Sequence, residues 1–286
     1  MSQQVTLGLV QMRCSTDPGE NLAKTLQKAE ECAKQGAQII VLPELFLSPY
    51  FCQGPKDDKY FDLAESIPGP TTAAFGVLAK KTNTVIICSL FEKTLEGRYF
   101  NSIAVIGTDG EVMGVYHKMH IPSLPPGLYS EDYYFAKGDK GFMVFDTPYG
   151  KIAPLICYDQ WFPEGARIAA AAGAQIIVYP TAIGWPLMDR ADLNIAEHEA
   201  WQIMHRSHSI ANNVFVAPVN RIGTEGNIKF WGTSQVSDPY GRILAKASTD
   251  KEENLIVECD LSLIDSMRTE WPFLDERRVK CEQIKL

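Results

Sequence analysis

The chain has 286 residues, of which 45% are hydrophobic and 22% are charged, as in an ordinary globular protein. Its formal net charge of -8 disfavours nucleic acid as a partner, because phosphate binding needs a basic surface. This length allows one large α/β domain or two small ones.

The cysteines and the N-terminus bear on the cellular compartment. The 7 cysteines are widely spaced and include no C-x-x-C pair, so neither a disulfide framework nor a zinc knuckle is expected. The first residues lack the basic and apolar regions of a signal peptide. No apolar run approaches the ~18 residues that span a bilayer. We therefore expect a cytoplasmic protein that does not bind membranes.

A nine-residue segment occurs twice, as GAQIIVLPE at residues 36–44 and as GAQIIVYPT at residues 173–181. Each copy follows a predicted strand and an amphipathic helix, so the chain is predicted to contain two strand–helix–strand units. In the first unit, strands are predicted at 5–12 and 38–42, with a helix that begins at Asp17-Pro18. The recurrence favours one domain whose two halves share a core.

The middle of the chain alternates predicted elements with one long loop. A helix is predicted over 70–82, a strand over 85–90, and a hairpin over 99–116 around Asp109-Gly110. Residues 117–141 are predicted to form a loop, and loops of this length in compact domains are usually functional. Strands are predicted at 142–145 and 152–157, on either side of a Thr147–Gly150 turn.

The second half begins with a helix that Pro163 starts. Further predicted elements are a helix over 191–212, a strand over 214–219, a hairpin of 231–237 with 243–247, and a strand over 255–260. The rest of the chain is charged and weakly periodic, which predicts a C-terminal arm over 261–286 on the surface or on another subunit. Residues 1–286 are thus interpreted as one domain.

Cys157 is a candidate nucleophile, because it lies where an apolar strand meets a helix whose first turn contains Pro163. A helix N-terminus favours the thiolate, so a depressed pKa of the thiol is expected there. The alternative is a buried cysteine that acts as a small hydrophobic residue, which is the common case.

Glu44 follows an apolar strand and suits general-base catalysis, or else it is a solvated loop residue. Lys118 follows another strand and could stabilise an oxyanion, or else lies on the surface.

The histidines do not match a metal site. Residues 198–202, HEAWQ, nearly form the H-E-x-x-H motif but end in Gln202. His205 and His208 could share a helix face, and helix packing is favoured over metal binding because no carboxylate or cysteine lies at ligand spacing. Motifs of serine hydrolases, P-loops and Rossmann folds are also missing from the sequence. We expect no metal and no organic cofactor.

Three dispersed motifs resemble those of the carbon–nitrogen hydrolase (nitrilase) superfamily: Pro43-Glu44, Lys118 within YHKMHIP, and Cys157 within CYDQWFPE. The resemblance implies an α/β fold, a four-layer αββα sandwich of two pseudo-symmetric halves. It implies a catalytic triad of Glu44, Lys118 and Cys157, with Glu131 as a supporting residue that positions substrate. It also implies a homo-oligomer.

Within the superfamily, the sequence is most similar to the amidases that act on N-carbamoylputrescine, in segments YFCQ, YFNS, YPTAIG and NRIG. The resemblance implies hydrolysis of a cationic small molecule to putrescine, ammonia and carbon dioxide. The backbone N–H of Tyr158 is the expected second oxyanion donor, and Trp161 and Trp185 are candidate channel walls, with core packing as the alternative. A β-ureidopropionase, an ω-amidase and an inactive scaffold of the same fold remain open.

Overall fold

The computed structural model of the protein describes residues 4–124, 129–187, 191–278 and 280. Pro125 and Pro126 of the long loop, Cys281 and the end of the predicted arm lie outside the described residues. The helices of the described part are α1 (Pro18–Lys34), α2 (Pro70–Thr82), α3 (Pro163–Ala171), α4 (Ala191–Asn212) and α5 (Ser262–Glu270). None of these helices is long and apolar enough to cross a membrane.

The strands of the described residues form three sheets. They are β1 (Gln4–Gln11), β2 (Ile39–Val41), β3 (Val85–Lys93), β4 (Tyr99–Ile106), β5 (Val112–His117), β6 (Phe145–Thr147), β7 (Gly150–Pro154), β8 (Ile176–Thr181), β9 (Gly184–Pro186), β10 (Phe215–Asn220), β11 (Ile222–Glu225), β12 (Ile228–Trp231), β13 (Gln235–Ser237), β14 (Ile243–Lys246) and β15 (Glu253–Asp260). Two sheets have six strands each, in the orders β15-β1-β2-β3-β4-β5 and β14-β13-β10-β8-β7-β6. A third, small sheet has the order β11-β12-β9.

The two large sheets pack face to face, with helices on both outer sides. Ile39 and Val41 of β2 point into the core between the sheets. Ile40, between them, points to the opposite side, where α1 and α2 cover the first sheet. Side chains of a strand alternate between its two faces, so a fully apolar segment such as β2 is buried on both. The predicted four-layer αββα sandwich is confirmed.

The two copies of the repeated segment occupy equivalent places in the two sheets. β2 runs parallel to both of its neighbours, β1 and β3, and β8 runs parallel to both β7 and β10. Gly36 follows the end of α1 with φ of +92°, and Gly173 follows the end of α3 with φ of +98°. Both glycines therefore end a helix in a conformation that a side chain disfavours.

Several predicted boundaries are wrong near the site. The strand predicted over 152–157 ends at Pro154, and a 3₁₀ turn, Cys157–Trp161, follows it. The strand predicted over 142–145 lies later, at β6. The strand predicted over 231–237 is divided, because Trp231 belongs to β12 in the third sheet and β13 begins at Gln235. The sequence prediction missed this third sheet because its strands are short.

The described part of the C-terminal segment contains both helix and exposed apolar residues. Ile264 and Met267 of α5 are buried, as is Leu274 beyond it. Trp271 and Phe273, between them, remain 46% and 44% exposed. The segment therefore begins as a helix that packs on its own domain and then presents two aromatic rings to solvent.

The equivalence of the two glycines leads to a stability prediction. Gly36→Ala and Gly173→Ala should each destabilise the protein by about 1–2 kcal/mol, because a side chain disfavours positive φ. Neither substitution meets a close neighbour, since an added Cβ finds no atom within 3.7 Å at either position. Thermal and urea unfolding would measure the effect. Gly54→Ala is the matched control, because Gly54 has φ of -94° and should tolerate alanine. A cost at only one of the two repeat positions would contradict their equivalence.

Candidate active site

The three predicted catalytic residues lie at the carboxyl ends of strands, where α/β sheets place their ligand sites. Glu44 follows β2, Lys118 follows β5 directly, and Cys157 lies three residues beyond β7. Glu44 and Lys118 are fully buried and Cys157 is 5% exposed. The alternatives of a solvated Glu44 and a surface Lys118 are therefore wrong.

The Lys118 ammonium lies between two carboxylates. Its Nζ is 2.8 Å from Glu44 Oε1 and 2.7 Å from Glu131 Oε2, and it also contacts the second oxygen of Glu131 at 2.8 Å. Burial alone lowers the pKa of Lys118, but the charges of Glu131 and Glu44 outweigh burial and raise the pKa well above its ordinary value. Burial raises the pKa of Glu131 to about 6, although Lys118 opposes the shift. The lysine therefore remains a fixed positive charge.

Two neutral side chains orient the carboxylates. Tyr50 donates its hydroxyl to Glu131 Oε1 at 2.6 Å. Asn101 donates its amide to Glu44 Oε1 at 2.8 Å, on the same oxygen that Lys118 contacts. The other oxygen of Glu44, Oε2, is buried and has no hydrogen-bond partner among the described residues. One Glu44 oxygen is thus held and the other can accept a proton.

Cys157 starts the 3₁₀ turn in a left-handed conformation, with φ of +40°. Asp159, two residues on, accepts hydrogen bonds from the Tyr116 hydroxyl at 2.7 Å and from the His120 backbone N–H at 2.9 Å. It also caps the turn by accepting from Ile156 N at 3.0 Å. Because Tyr116 and His120 flank Lys118 in sequence, Asp159 fixes the cysteine turn to the segment that carries the lysine.

The expected depressed pKa of Cys157 is wrong. Burial raises the pKa of this thiol well above its ordinary value, the Glu44 charge adds to the shift, and Lys118 opposes it. Desolvation disfavours the thiolate more than the nearby positive charge favours it. The site therefore favours the protonated thiol over the thiolate.

Arg221 joins the second half of the chain to the loop that carries Glu44. This fully buried residue follows β10 and donates from Nη2 to the backbone oxygens of Glu44 at 2.5 Å and Leu45 at 3.0 Å. Its Nη1 pairs with Glu225 at 3.0 Å, and Glu225 accepts from Tyr50 N at 2.6 Å. Leu45 has φ of +47°, so these bonds hold a turn that is unfavourable for leucine.

A cavity of about 200 Å³ opens at Cys157. Its described lining is Pro122, Leu124, Tyr129, Cys157, Tyr158, Trp161, Ile183, Gly184, Pro186, Glu197 and Trp231. Of the two candidate walls, Trp161 lines the cavity, and Tyr158 lies beside it in the lining. Trp185 does not, because Gly184 and Pro186 of β9 face the cavity and the residue between them points to the other face.

Trp185 instead lines a surface depression with His198 and Gln202, and its Nε1 donates to Asn194 O at 3.0 Å. Trp231 of β12 supplies an indole to the cavity.

Among the described residues, no group of three His, Cys, Asp or Glu side chains is placed to hold a metal ion. His205 and His208 are buried, and their rings contact backbone oxygens at 2.8 and 2.7 Å.

Several residues that complete the site were not predicted from the sequence. Tyr50 and Asn101 occur in the YFCQ and YFNS segments, and Arg221 in NRIG, so the resemblance had marked their positions without a role. Trp231 and Glu197 had no such signal, because their access to the cavity depends on how β12 and α4 pack.

The comparisons with known proteins agree with this geometry. The carbon-nitrogen hydrolase family model matches residues 6–269. The N-carbamoylputrescine amidase of Arabidopsis thaliana is 39% identical over 96% of this chain and 93% of its own length. The citrullinase of Francisella tularensis is 40% identical over 96% of this chain and 95% of its own. A carbon-nitrogen hydrolase structure from Helicobacter pylori G27 superposes with a TM-score of 0.91, at 40% identity and 96% coverage of both chains. The chain therefore belongs to the carbon–nitrogen hydrolase family and is a C–N hydrolase.

Proposed function

We propose that the protein hydrolyses N-carbamoylputrescine to putrescine, ammonia and carbon dioxide, with Cys157 as nucleophile, Glu44 as general base and Lys118 as oxyanion partner. The observation that carries the proposal is the arrangement around the Lys118 ammonium. It is held by Glu44 and Glu131 at 2.7–2.8 Å, while Glu44 Oε2 has no partner among the described residues and the Cys157 thiol opens into the cavity.

In the first half-reaction, Glu44 Oε2 takes the proton of the Cys157 thiol as the sulfur attacks the carbamoyl carbon. Because burial raises the pKa of the thiol, the sulfur needs this base to become a nucleophile. The carbonyl oxygen becomes an oxyanion beside Lys118 Nζ and the Tyr158 backbone N–H. Glu44 then gives its proton to the terminal nitrogen, the C–N bond breaks, and ammonia leaves.

The second half-reaction hydrolyses the carbamoyl thioester. Glu44, again a carboxylate, takes a proton from a water molecule that attacks the thioester carbon, and the C–S bond breaks. Cys157 recovers the proton, and the carbamate product loses carbon dioxide to leave the amine. One residue thus serves as acid and base in alternation. Every group in the scheme belongs to this chain, without a metal or an organic cofactor.

The substrate assignment rests on the relatives and on the walls of the cavity. A relative that covers nearly the whole chain at 39% identity is an N-carbamoylputrescine amidase. Trp161, Trp231 and Tyr129 provide apolar surface for an alkyl chain. A β-ureidopropionase or an ω-amidase acts on molecules with a carboxylate at the far end, which calls for an arginine or an amide nest. No lysine or arginine is among the described lining residues.

Citrulline is the second candidate substrate, because the Francisella relative at 40% identity is a citrullinase. Citrulline shares the carbamoyl group but adds a carboxylate to its far-end amine. An inactive scaffold is disfavoured because the buried charges of Lys118, Glu44 and Glu131 cost folding free energy through desolvation. Such a cost is not expected in a protein that makes no use of the cluster. Variants of Cys157 and Glu44 distinguish an enzyme from an inactive scaffold, and a panel of substrates distinguishes the candidate reactions.

The first prediction for this function concerns the nucleophile and the base. Cys157→Ala should lower ammonia release from N-carbamoylputrescine by roughly 10⁴-fold or more, and Glu44→Gln should lower kcat much more than it changes KM. The panel should include citrulline, N-carbamoyl-β-alanine, a simple amide and a nitrile. Circular dichroism of each variant checks folding. A folded Cys157→Ala protein with more than about one per cent of wild-type activity would exclude Cys157 as nucleophile.

The second prediction concerns pH. Burial raises the pKa of Glu131 to about 6, so this carboxylate gains a proton as the pH falls through that value. The neutral Glu131 then no longer holds the Lys118 ammonium by charge. We expect kcat/KM to fall below pH 6, and we expect Glu131→Gln to abolish this dependence and to lower kcat by about a hundredfold through misplacement of Lys118. An unchanged acid limb in the Glu131→Gln profile would assign the dependence to another group.

The third prediction concerns assembly, and it keeps the homo-oligomer as a proposal. Apolar side chains are exposed on α4 and beyond α5: Leu193, Ile195, Ile203, Trp271 and Phe273. Apolar surface of this kind is typical of interfaces between subunits. Sedimentation at micromolar concentration should give a dimer or a larger species. Material of monomer mass alone at that concentration would contradict the proposal.

A further inference from the structure

The cavity at Cys157 has one acidic side chain among its described lining residues, that of Glu197 on α4. The rest of that lining is apolar or aromatic apart from the thiol. Of these two lining residues, Cys157 is nearly buried and Glu197 is partly exposed. A molecule whose carbamoyl group is at the thiol would extend along the aromatic walls toward this residue.

The acidic residues of the long loop are not available for this role. Glu131 is committed to Lys118 and Tyr50. Asp132 accepts a hydrogen bond from Ser123 and lines a separate surface depression, together with Tyr133 and Tyr134. Of the acidic and tyrosine residues of this loop, only Tyr129 lines the catalytic cavity.

The surroundings of Glu197 suit a cation. An ammonium is attracted both by a carboxylate and by the faces of aromatic rings, and Trp161 and Trp231 line the same cavity. Glu197 also interacts within the chain. An ionised carboxylate has about four lone-pair sites, so it can accept from a substrate amine while it keeps a partner within the chain. A carboxylate-ended substrate would instead be repelled.

We propose that Glu197 binds the distal ammonium of the substrate and thereby sets the preference for cationic N-carbamoyl compounds. The role that we assign to it is in specificity, because it reads the far end of the substrate and takes no part in the reaction at the carbamoyl group. This inference rests on the proposed function, because it takes an N-carbamoyl amine as the substrate. It adds the residue that distinguishes an amine-ended substrate from neutral or carboxylate-ended ones.

The experiment compares two substrates on the wild type and on Glu197→Gln. N-carbamoylputrescine carries the ammonium, and N-pentylurea replaces it with a methyl group of similar size. Wild type should prefer N-carbamoylputrescine by about a hundredfold in kcat/KM, the scale for leaving a polar partner unpaired. Glu197→Gln should lower kcat/KM for N-carbamoylputrescine by about tenfold or more, mainly through KM, and leave N-pentylurea unchanged.

A matched control and a charge reversal sharpen the test. Glu199→Gln removes the same charge two residues away, where the exposed Glu199 lines the outer depression with Trp185, and it should change neither substrate. Glu197→Lys should raise turnover of N-carbamoyl-4-aminobutyrate, which ends in a carboxylate, relative to N-carbamoylputrescine.

The outcomes separate this inference from the proposed function. A wild type with no preference for N-carbamoylputrescine over N-pentylurea would overturn the substrate class and the role of Glu197 together. A wild-type preference that Glu197→Gln retains in full would overturn the role of Glu197 alone. An equal loss of kcat/KM on both substrates in Glu197→Gln would also overturn the role of Glu197, because it would show that the residue supports the structure of the cavity and does not recognise the charge of the substrate.

Discussion

The buried ammonium of Lys118 is the constraint on which the site depends. Burying a charge away from water is costly unless opposite charges and hydrogen bonds compensate for the lost hydration. Here the carboxylates of Glu44 and Glu131 provide that compensation for the Lys118 ammonium. Lys118 Nζ lies within 2.8 Å of both Glu44 and Glu131. Removing one partner of such a buried pair typically costs 3–5 kcal/mol.

The rest of the fold supplies the partners of that cluster from distant parts of the chain. Arg221, after β10, holds the backbone at Glu44 and pairs with Glu225, whose carboxylate holds Tyr50. Asp159 fixes the Cys157 turn to the segment on either side of Lys118. Each half of the sandwich thus positions a group in the other half, and the site forms only when both sheets have packed. This dependence explains why so many polar side chains near the cavity are fully buried.

The same burial determines how the thiol can react. It raises the pKa of Cys157 well above its ordinary value, despite the lysine nearby. In the mechanism that we propose, this thiol reacts only when a base removes its proton, and Glu44 has an oxygen without a described partner that could accept it. The raised pKa has one main physical cause, which is the exclusion of water from the thiol. Glu197, the residue that we propose for substrate selection, is by contrast partly exposed.

The sequence by itself determined the features that are encoded locally. The twin segments at 36–44 and 173–181 predicted two equivalent halves, apolar periodicity predicted most helices and central strands, and three motifs marked Glu44, Lys118 and Cys157. Tertiary structure alone decided the third sheet, the direction of Trp185, the access of Glu197 to the cavity, and the sign of the pKa shift at Cys157. These depend on which distant segments surround a residue and exclude water from it. A local pattern contains no information about such contacts, because they are created only when the two sheets and their helices pack together.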